Sequence, residues 1–261
     1  MDRAAGYNIK ILYEDNHVLC ALKPRGMLSQ ADETGDADML TALKKYIGAK
    51  YEKTGRVYLG LVHRLDRPVG GVMVFARTSK AAGRLSLQLR ERDVKKTYYA
   101  VIRGIPDEAA GRLEHRIFKD RDLNLVRVTE TDLACGASAA PYSTAGAHGK
   151  PRLNAGASEI ARLDYRTLAD ARDDAGSYAL VRVELLTGRP HQIRAQFAHI
   201  GHPVVGDRKY GAAGSADWPA LWAAELAFSH PVKHTPVTVS APPPSDEYPW
   251  RLFDQKKYEL N

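Results

Sequence analysis

The sequence has little cysteine and no long apolar segment: two of its 261 residues are cysteines. Cys20 lies in an apolar run and Cys135 in a stretch of small residues, so the two form neither a disulfide framework nor a metal-ligand pair. No apolar run is long enough to cross a bilayer, and the N-terminus is too polar for a secretory signal. We therefore expect a protein of the reducing cytoplasm with no membrane partner.

Recognisable metal and nucleotide motifs are also missing. Four histidines fall in the two segments that carry the candidate chemistry: His63, His191, His199 and His202. Their order and spacing match no zinc pattern, so we expect ordinary hydrogen-bonded histidines and no metal. The Gly70-Gly71 pair lacks the third glycine and the following helix of a dinucleotide loop, and no Walker motif or Ser-centred elbow occurs.

Basic residues are in excess and they are concentrated in one part of the chain. Lys and Arg total 38 against 31 acidic residues, a net charge of +7. Residues 61–103 contain ten basic and three acidic residues, so this segment alone carries the whole excess. Such a segment is either a solvated helix face or the electrostatic footprint of a polyanion such as RNA.

Hydrophobic periodicity and turn residues predict more strands than helices. The predicted strands are residues 9–13, 18–22, 72–76, 98–103, 162–168 and 178–186. Asp36 or Asp38 can cap one helix, and Thr78 or Ser79 can open another. Because the strands do not alternate regularly with helices, we predict an α+β fold: a largely antiparallel mixed sheet flanked by helices and loops.

The chain length fits one domain over residues 1–261, or two subdomains around a central cleft. Residues 135–158 are rich in Ala, Gly, Ser and Pro and lack both period and large side chains. We predict that they form an inserted flexible loop between strands.

The first candidate segment is LVHRLDRPVGGVMVFA, residues 61–76. If 61–66 is extended, Arg64 and Asp66 point to the same side, and Pro68 with the following glycines forces a turn. A carboxylate at a strand end among basic neighbours suits an ionised group in a polyanion-binding cleft. From this segment alone, a structural salt bridge from Asp66 to Arg64 or Arg67 is the better explanation.

The second candidate segment is LLTGRPHQIRAQFAHIGHPVVGD, residues 185–207. A strand ends at a Thr-Gly turn, and a helix is predicted to start near Pro190. His191 and Arg194 are three residues apart and share a face near the helix N-terminus, where an anion is favoured. That anion is either a phosphate or a protein carboxylate such as Asp66.

Three segments taken in order resemble a known family. They are HRLDRPVGGVMVFARTSKAA, VKKTYYAVIRG and LLTGRPHQIRAQFAHIGHPVVGDRKYG. Together they closely resemble the RluA-type pseudouridine synthases, and the likeness extends from residues 11–27 to residues 226–232. The resemblance implies the pseudouridine synthase catalytic fold, a central antiparallel sheet with RNA held in a basic cleft across it.

The resemblance also implies roles for individual residues. In this family the Asp of HRLD, here Asp66, is the catalytic nucleophile, and the Arg of HQIR, here Arg194, pairs with it. The tyrosine of the K-x-Y motif, here Tyr98, lies over the target base and is implicated in proton abstraction. Arg64 can fill the place that a flipped uridine leaves in the RNA stack.

The implied reaction is the isomerisation of specific uridines of ribosomal or transfer RNA to pseudouridine, without a cofactor. Asp66 attacks the ribose carbon, attacks the ring, or assists an elimination; the residues leave these routes open. We expect a monomer whose partner is structured RNA with a flipped uridine. The residues expected to bind this RNA are His63, Arg64, Arg84, Arg92, Lys96 and Arg189.

The sequence departs from the family pattern in two ways. Pro190 and Ala195-Gln196 replace more usual residues around HQIR. The small basic N-terminal appendage of many relatives has no counterpart, so RNA affinity is expected to come from the catalytic domain. Two other classes stay open: a non-catalytic RNA-binding protein, and a base-removing glycosidase, which needs a positioned water and often a second carboxylate.

Overall fold

The computed structural model describes residues 9–120, 125–130, 158–211 and 216–254. The predicted flexible loop lies outside the described residues except for Ser158, as does Cys135. The single-domain prediction for 1–261 stays a prediction, because some of those residues are not described.

All strands of the described residues join one sheet. The strands are β1 (Ile11–Glu14), β2 (Val18–Lys23), β3 (Gly60–Leu61), β4 (Gly70–Ala76), β5 (Lys95–Arg103), β6 (Ala110–Asp120), β7 (Leu125–Glu130), β8 (Glu159–Asp173), β9 (Gly176–Leu185), β10 (Leu221–Ser229) and β11 (Pro236–Ser240). Their main order is β1-β2-β4-β10-β5-β9-β8-β6-β7, with β3 on β4 and β11 on β10. Only the β4–β10 pairing among these strands is parallel, so the predicted α+β fold with a largely antiparallel mixed sheet is confirmed.

Three α-helices lie among the described residues: α1 (Met39–Lys50), α2 (Ser79–Glu91) and α3 (Gln192–His199). Asp38 caps α1 by accepting from the Thr41 N–H, and Thr78 caps α2 by accepting from the Ala81 N–H, as two of the predicted caps require. A short 3-10 turn covers Trp250–Leu252. None of these helices is long and apolar enough to span a membrane.

The first hairpin shows why the sequence folds locally as predicted. Asp15 follows β1, and its Oδ1 accepts from the backbone N–H groups of His17 and Val18 at 2.8 and 2.9 Å. A carboxylate that accepts from the backbone two and three residues ahead stabilises a tight turn. β2 can then pair with β4, which is buried along its whole length.

The first candidate segment departs from its prediction. Its strand, β3, ends at Leu61, and residues 62–66 run as irregular chain towards a turn at Arg67 and Pro68. Gly70 and Gly71 begin β4 instead of forming that turn. A Cβ on Gly71 would lie 2.2 Å from the Ala223 carbonyl oxygen, so glycine permits the close approach of β4 to β10.

The second candidate segment also departs from its prediction. The helix α3 begins at Gln192, two residues after Pro190, because His191 adopts a left-handed conformation with φ of 52°. Residues from Gln192 to Ala198 are all buried, so α3 packs on every side and not along one stripe. Gly201, with φ of 83°, follows the helix end as predicted.

Candidate active site

A cavity of about 800 Å³ lies where the chain after β3, the inner part of β5, the end of β9 and the start of α3 meet. Its lining includes most of the residues selected from the sequence: His63, Arg64, Asp66, Arg92, Lys96, Tyr98, Arg189 and Arg194. The two candidate segments, separated by more than a hundred residues in the chain, therefore form one site. A cavity of this size can hold a nucleoside-sized group.

Asp66 and Arg194 form the predicted pair. The Arg194 Nη1 donates to the Asp66 Oδ2 at 3.0 Å. The Asp66 side chain keeps 28% of its surface exposed, whereas that of Arg194 keeps 6%. The Asp66 carboxylate is therefore accessible from the cavity, whereas the charged arginine that pairs with it is buried. This contact decides against the ordinary salt bridge with Arg67, whose guanidinium pairs with Asp36 at 2.8 Å.

A second carboxylate, which sequence reasoning missed, holds Arg194 from behind. Asp207 is fully buried and accepts from the Arg194 Nε and Nη2 at 2.6 and 2.8 Å. Two parallel bonds of this kind fix the plane of the guanidinium. Burial by itself lowers the pKa of Arg194, but the Asp207 and Asp66 carboxylates more than offset it and raise that pKa. Arg194 therefore stays charged and fixed in direction.

The backbone on both sides of Asp66 is also held. The Ser29 hydroxyl donates to the Leu65 carbonyl at 2.8 Å and accepts from the Leu65 N–H at 3.1 Å. The Lys23 Nζ is buried and donates to the carbonyls of Pro24, Arg67 and Val69 at 3.1, 3.0 and 2.8 Å. Burial lowers the pKa of Lys23 to about 7, although the negative charge of Asp66 acts in the opposite direction. These bonds fix the turn that carries Asp66.

Tyr98 lies in β5 and lines the same cavity. Burial, and then the charge of Asp66, raise the pKa of its phenol well above the ordinary value. The hydroxyl is therefore protonated at neutral pH, so the phenolate expected of a strong proton acceptor is disfavoured in the RNA-free protein. Tyr98 therefore contributes an aromatic ring and a neutral O–H group to the cavity.

His63 and Lys96 both line the cavity. The Val74 N–H donates to the His63 Nε2 at 3.0 Å, and burial with the charge of Lys96 lowers the pKa of His63 to about 4. His63 is thus a neutral, hydrogen-bonded ring, and its predicted role in RNA binding stays a prediction. Burial lowers the pKa of Lys96, whose Nζ lies close to Gly188.

The remaining predicted RNA-binding residues divide into two groups. Arg64 and Arg92 are exposed and line the cavity. Arg189 lines it too, but its guanidinium donates to the Glu159 carboxylate at 2.7 Å. Arg84 lies outside the cavity lining, where its Nη1 donates to the Pro231 carbonyl at 2.6 Å, so its assignment gains no support.

The four histidines are hydrogen-bonded, as expected. His63 accepts from Val74, while the other rings contact the Tyr210 hydroxyl, the Glu130 carboxylate and the Arg103 carbonyl. Each of the four rings therefore has at least one hydrogen-bond partner.

One group among the described residues nevertheless brings three metal-binding side chains together. The donor atoms of His115, Glu130 and His199 lie within 4.8 Å of one another. The Gln196 Nε2, which also lies 3.2 and 3.3 Å from two carbonyl oxygens, faces the His115 Nδ1 at 3.0 Å. An amide nitrogen only donates, so this Nδ1 accepts and the proton of a neutral ring sits on Nε2.

Lys23, Asp207 and Tyr210 were not selected from the sequence, and the sequence signals that could have revealed them are weak. Lys23 closes the otherwise apolar strand VLCALK, and a lysine in such a strand must bond when it is buried. Asp207 and Tyr210 lie in GDRKY, residues 206–210, in the loop that follows α3. Their importance depends on the fold of the loop after α3, which no local pattern predicts.

Comparison with known proteins places this geometry among RNA-modifying enzymes. Residues 17–199 match the sequence model of a family described as RNA pseudouridylate synthase. The chain is 30% identical to the tRNA pseudouridine synthase C of Yersinia pestis over 89% of this chain and 86% of that protein. It is 32% identical to the ribosomal large subunit pseudouridine synthase D of Xanthomonas campestris pv. campestris over 91% of this chain and 67% of that protein.

A solved structure has the same fold. Human RNA pseudouridylate synthase domain containing 4 superposes with a TM-score of 0.68 over 90% of this chain and 88% of that chain. The identity is 20%, so this likeness supports the arrangement of strands and helices and no more.

Proposed function

This chain belongs to the RNA pseudouridylate synthase family, and we propose that it isomerises specific uridines of transfer or ribosomal RNA with Asp66 as the nucleophile. The observation that carries the proposal is the position of Asp66: a partly exposed carboxylate in the cavity, paired with a buried and doubly anchored arginine. A nucleophile needs to be ionised, accessible and fixed in direction.

The proposed reaction needs only groups that the chain supplies. The bond from the uracil ring nitrogen to the ribose carbon breaks, the base turns in the pocket, and its fifth ring carbon bonds to the same ribose carbon. The proton on that ring carbon is lost and the freed ring nitrogen gains one, so the product is an isomer of the substrate. No group is imported and no electron is transferred, so the proposal includes no cofactor.

Four of the cavity residues have a part in this proposal. Asp66 forms the covalent or ionic contact that allows the base to leave, and Arg194 stabilises its charge. The Tyr98 ring covers the base, with its protonated hydroxyl beside Asp66. Arg64, exposed at the cavity, is available to take the place of a flipped uridine in the RNA stack.

The choice between transfer and ribosomal RNA rests on the relatives. One similar protein is named for transfer RNA and another for the ribosomal large subunit. We propose a structured RNA of either kind, bound by a monomer in the cytoplasm. The buried free thiol of Cys20 is compatible with a reducing compartment.

The test is the conversion of uridine by wild-type protein and by Asp66→Asn. Transfer and ribosomal RNA from cells that lack the gene would be incubated with each protein, and pseudouridine would be quantified by mass spectrometry of nucleosides. Wild-type protein should form pseudouridine, whereas Asp66→Asn should lose at least about 10³-fold in rate. Asp66→Asn should still bind RNA, because removing a negative charge does not weaken a polyanion site.

Two outcomes would contradict the proposal. Pseudouridine formed at the native rate by folded Asp66→Asn would show that Asp66 is not the nucleophile. Free uracil in place of pseudouridine would identify a glycosidase. Asp36→Asn is the matched control, because its carboxylate pairs with Arg67 near the same turn without lining the cavity.

A further inference from the structure

His191 lines the cavity beside Asp66, yet the proposed reaction gives it no role. Its Nε2 lies 3.9 Å from the Asp66 Oδ2, and its Nδ1 lies 2.7 Å from the Tyr210 hydroxyl. Its side chain is 13% exposed, and its backbone is in the left-handed region. A residue other than glycine in that conformation at a candidate active site suggests that its side chain is needed there.

The Tyr210 hydroxyl determines where the histidine proton sits. The Val126 N–H donates to this hydroxyl at 2.8 Å, and the contact with His191 is its only other hydrogen bond among the residues described. Burial raises the pKa of Tyr210 to about 12, so the phenol keeps its hydrogen at neutral pH. Among the residues that the structure describes, the His191 Nδ1 is the one acceptor within reach of that hydrogen.

The opposite ring nitrogen of His191 therefore carries the proton. A neutral imidazole has one donor and one acceptor nitrogen, so an accepting Nδ1 implies Nε2–H. Burial is the main cause of a lowered His191 pKa; Arg194 and Lys209 lower it further, while Asp66 and Asp207 raise it. The ring is thus neutral at neutral pH, with its N–H on the side of Asp66.

We propose that His191 is a positioning residue for Asp66, and that Tyr210 holds its ring in the tautomer that presents Nε2–H to this carboxylate. A movement of about 1 Å brings the two atoms to hydrogen-bond distance. The second bond would then fix the orientation of a carboxylate whose other hydrogen bond, among the described residues, comes from Arg194. The inference rests on the proposed function for its rate effect, but its structural part can be measured without RNA.

Two substitutions of His191 separate this role from a backbone role. His191→Gln can place an amide N–H near the position of Nε2, whereas His191→Asn is too short to reach Asp66. Asparagine tolerates the left-handed backbone better than glutamine. If His191 positions Asp66, the Gln variant should therefore react faster than the Asn variant. If His191 serves only to cap the helix, the Asn variant should be the more stable of the two and should react no more slowly.

The rate measurement is pseudouridine formation with separate kcat and KM. His191→Asn should lower kcat about 10- to 100-fold with KM little changed, the range for one hydrogen bond to a charged group. His191→Gln should recover most of that loss although it melts at a lower temperature. Equal rates in both variants, or a better rate for Asn, would overturn the inference.

The tautomer is measured by ¹H–¹⁵N spectra of the histidine rings in RNA-free protein. His191 should show a protonated Nε2 and an unprotonated Nδ1, and its pKa should lie below the ordinary value of about 6.5. In Tyr210→Phe, the pKa should rise, because the neutral ring loses the hydrogen bond that favours it. A protonated Nδ1 in the wild-type protein would refute the inference whether or not pseudouridine forms.

A wild-type protein that forms no pseudouridine but shows the predicted tautomer would remove the proposed function and leave the ring assignment standing. If Tyr210→Phe fails to fold, the wild-type spectrum and the His191 pair still decide the question.

Discussion

Two Arg–Asp pairs of the same geometry occur in very different parts of this molecule. Arg194 and Asp207 are joined by two bonds of 2.6 and 2.8 Å behind the cavity. Arg112 and Asp164 are joined by two bonds of 2.7 and 2.9 Å across neighbouring strands β6 and β8. The first pair is 6% and 0% exposed, whereas the second is 56% and 41% exposed.

This difference shows that geometry alone does not decide what an ion pair contributes. Water screens an exposed pair and competes for its hydrogen bonds, so such pairs stabilise little. A buried arginine has lost its water and depends on its carboxylates, so removing one of them leaves an unpaired charge. The buried pair can therefore fix a functional group, while the exposed pair is one of several interchangeable surface contacts.

The largest effect is expected from Asp207→Asn, which tests the buried half of the comparison. The substitution keeps the shape of the side chain but leaves Arg194 with Asp66 as its remaining carboxylate. We expect the free energy of unfolding to fall by about 3 kcal/mol, measured by urea denaturation. The rate of pseudouridine formation should also fall, because Arg194 loses the two bonds that fix its plane.

A matched control for Asp207→Asn is Asp36→Asn, whose carboxylate pairs with the more exposed Arg67. It should change stability and rate far less. Native stability in Asp207→Asn would mean that Asp66 and the surrounding backbone suffice to hold Arg194.

The sequence predicted one side of this arrangement and not the other. HRLD and HQIR identified Asp66 and Arg194 because both lie in short, specific motifs. Asp207 was missed because the loop after α3 determines its partner, and because a single buried aspartate produces no periodic pattern in the sequence. For the same reason the start of α3 was placed two residues early: the left-handed turn at His191 depends on tertiary contacts.

Charge was the least informative part of the sequence. Residues 61–103 carry the whole basic excess, yet Arg84 donates to a carbonyl outside the cavity while Arg90 and Lys96 line it. The position of a basic residue within α2 or β5 decides whether it faces the cavity, and the count of charges does not contain that information. The strand pattern succeeded better because burial on one or both faces follows directly from residue type.

A smaller effect is expected from removing basic residues of the cavity wall. This change extends the comparison from ion pairs within the protein to contacts with bound RNA. The double change Arg90→Gln, Lys96→Gln removes two cations from the cavity wall. If each contacts one phosphate, RNA affinity at low salt should fall about 10- to 100-fold, and the slope of log affinity against log salt should decrease by about 1.4.

The matched control is Lys80→Gln, Arg84→Gln, which removes two charges of α2 that lie outside the cavity lining. Filter binding or fluorescence anisotropy across several salt concentrations measures both variants. Equal losses in the two variants would show that these basic residues act as a general charged surface and that the cavity wall has no special part.

The smallest effect is expected from Asp164→Asn, which tests the exposed half of the comparison. Arg112 loses a bidentate partner, but both groups are open to water, and the nearby Glu114 also raises the pKa of Arg112. We expect the melting temperature to change by no more than about 2 °C, and the change should shrink further in high salt because exposed charges are screened. Differential scanning calorimetry at low and high salt measures both quantities. A loss as large as that of Asp207→Asn would mean that the strand pairing of β6 with β8 depends on this pair, and burial would then not be what separates the two.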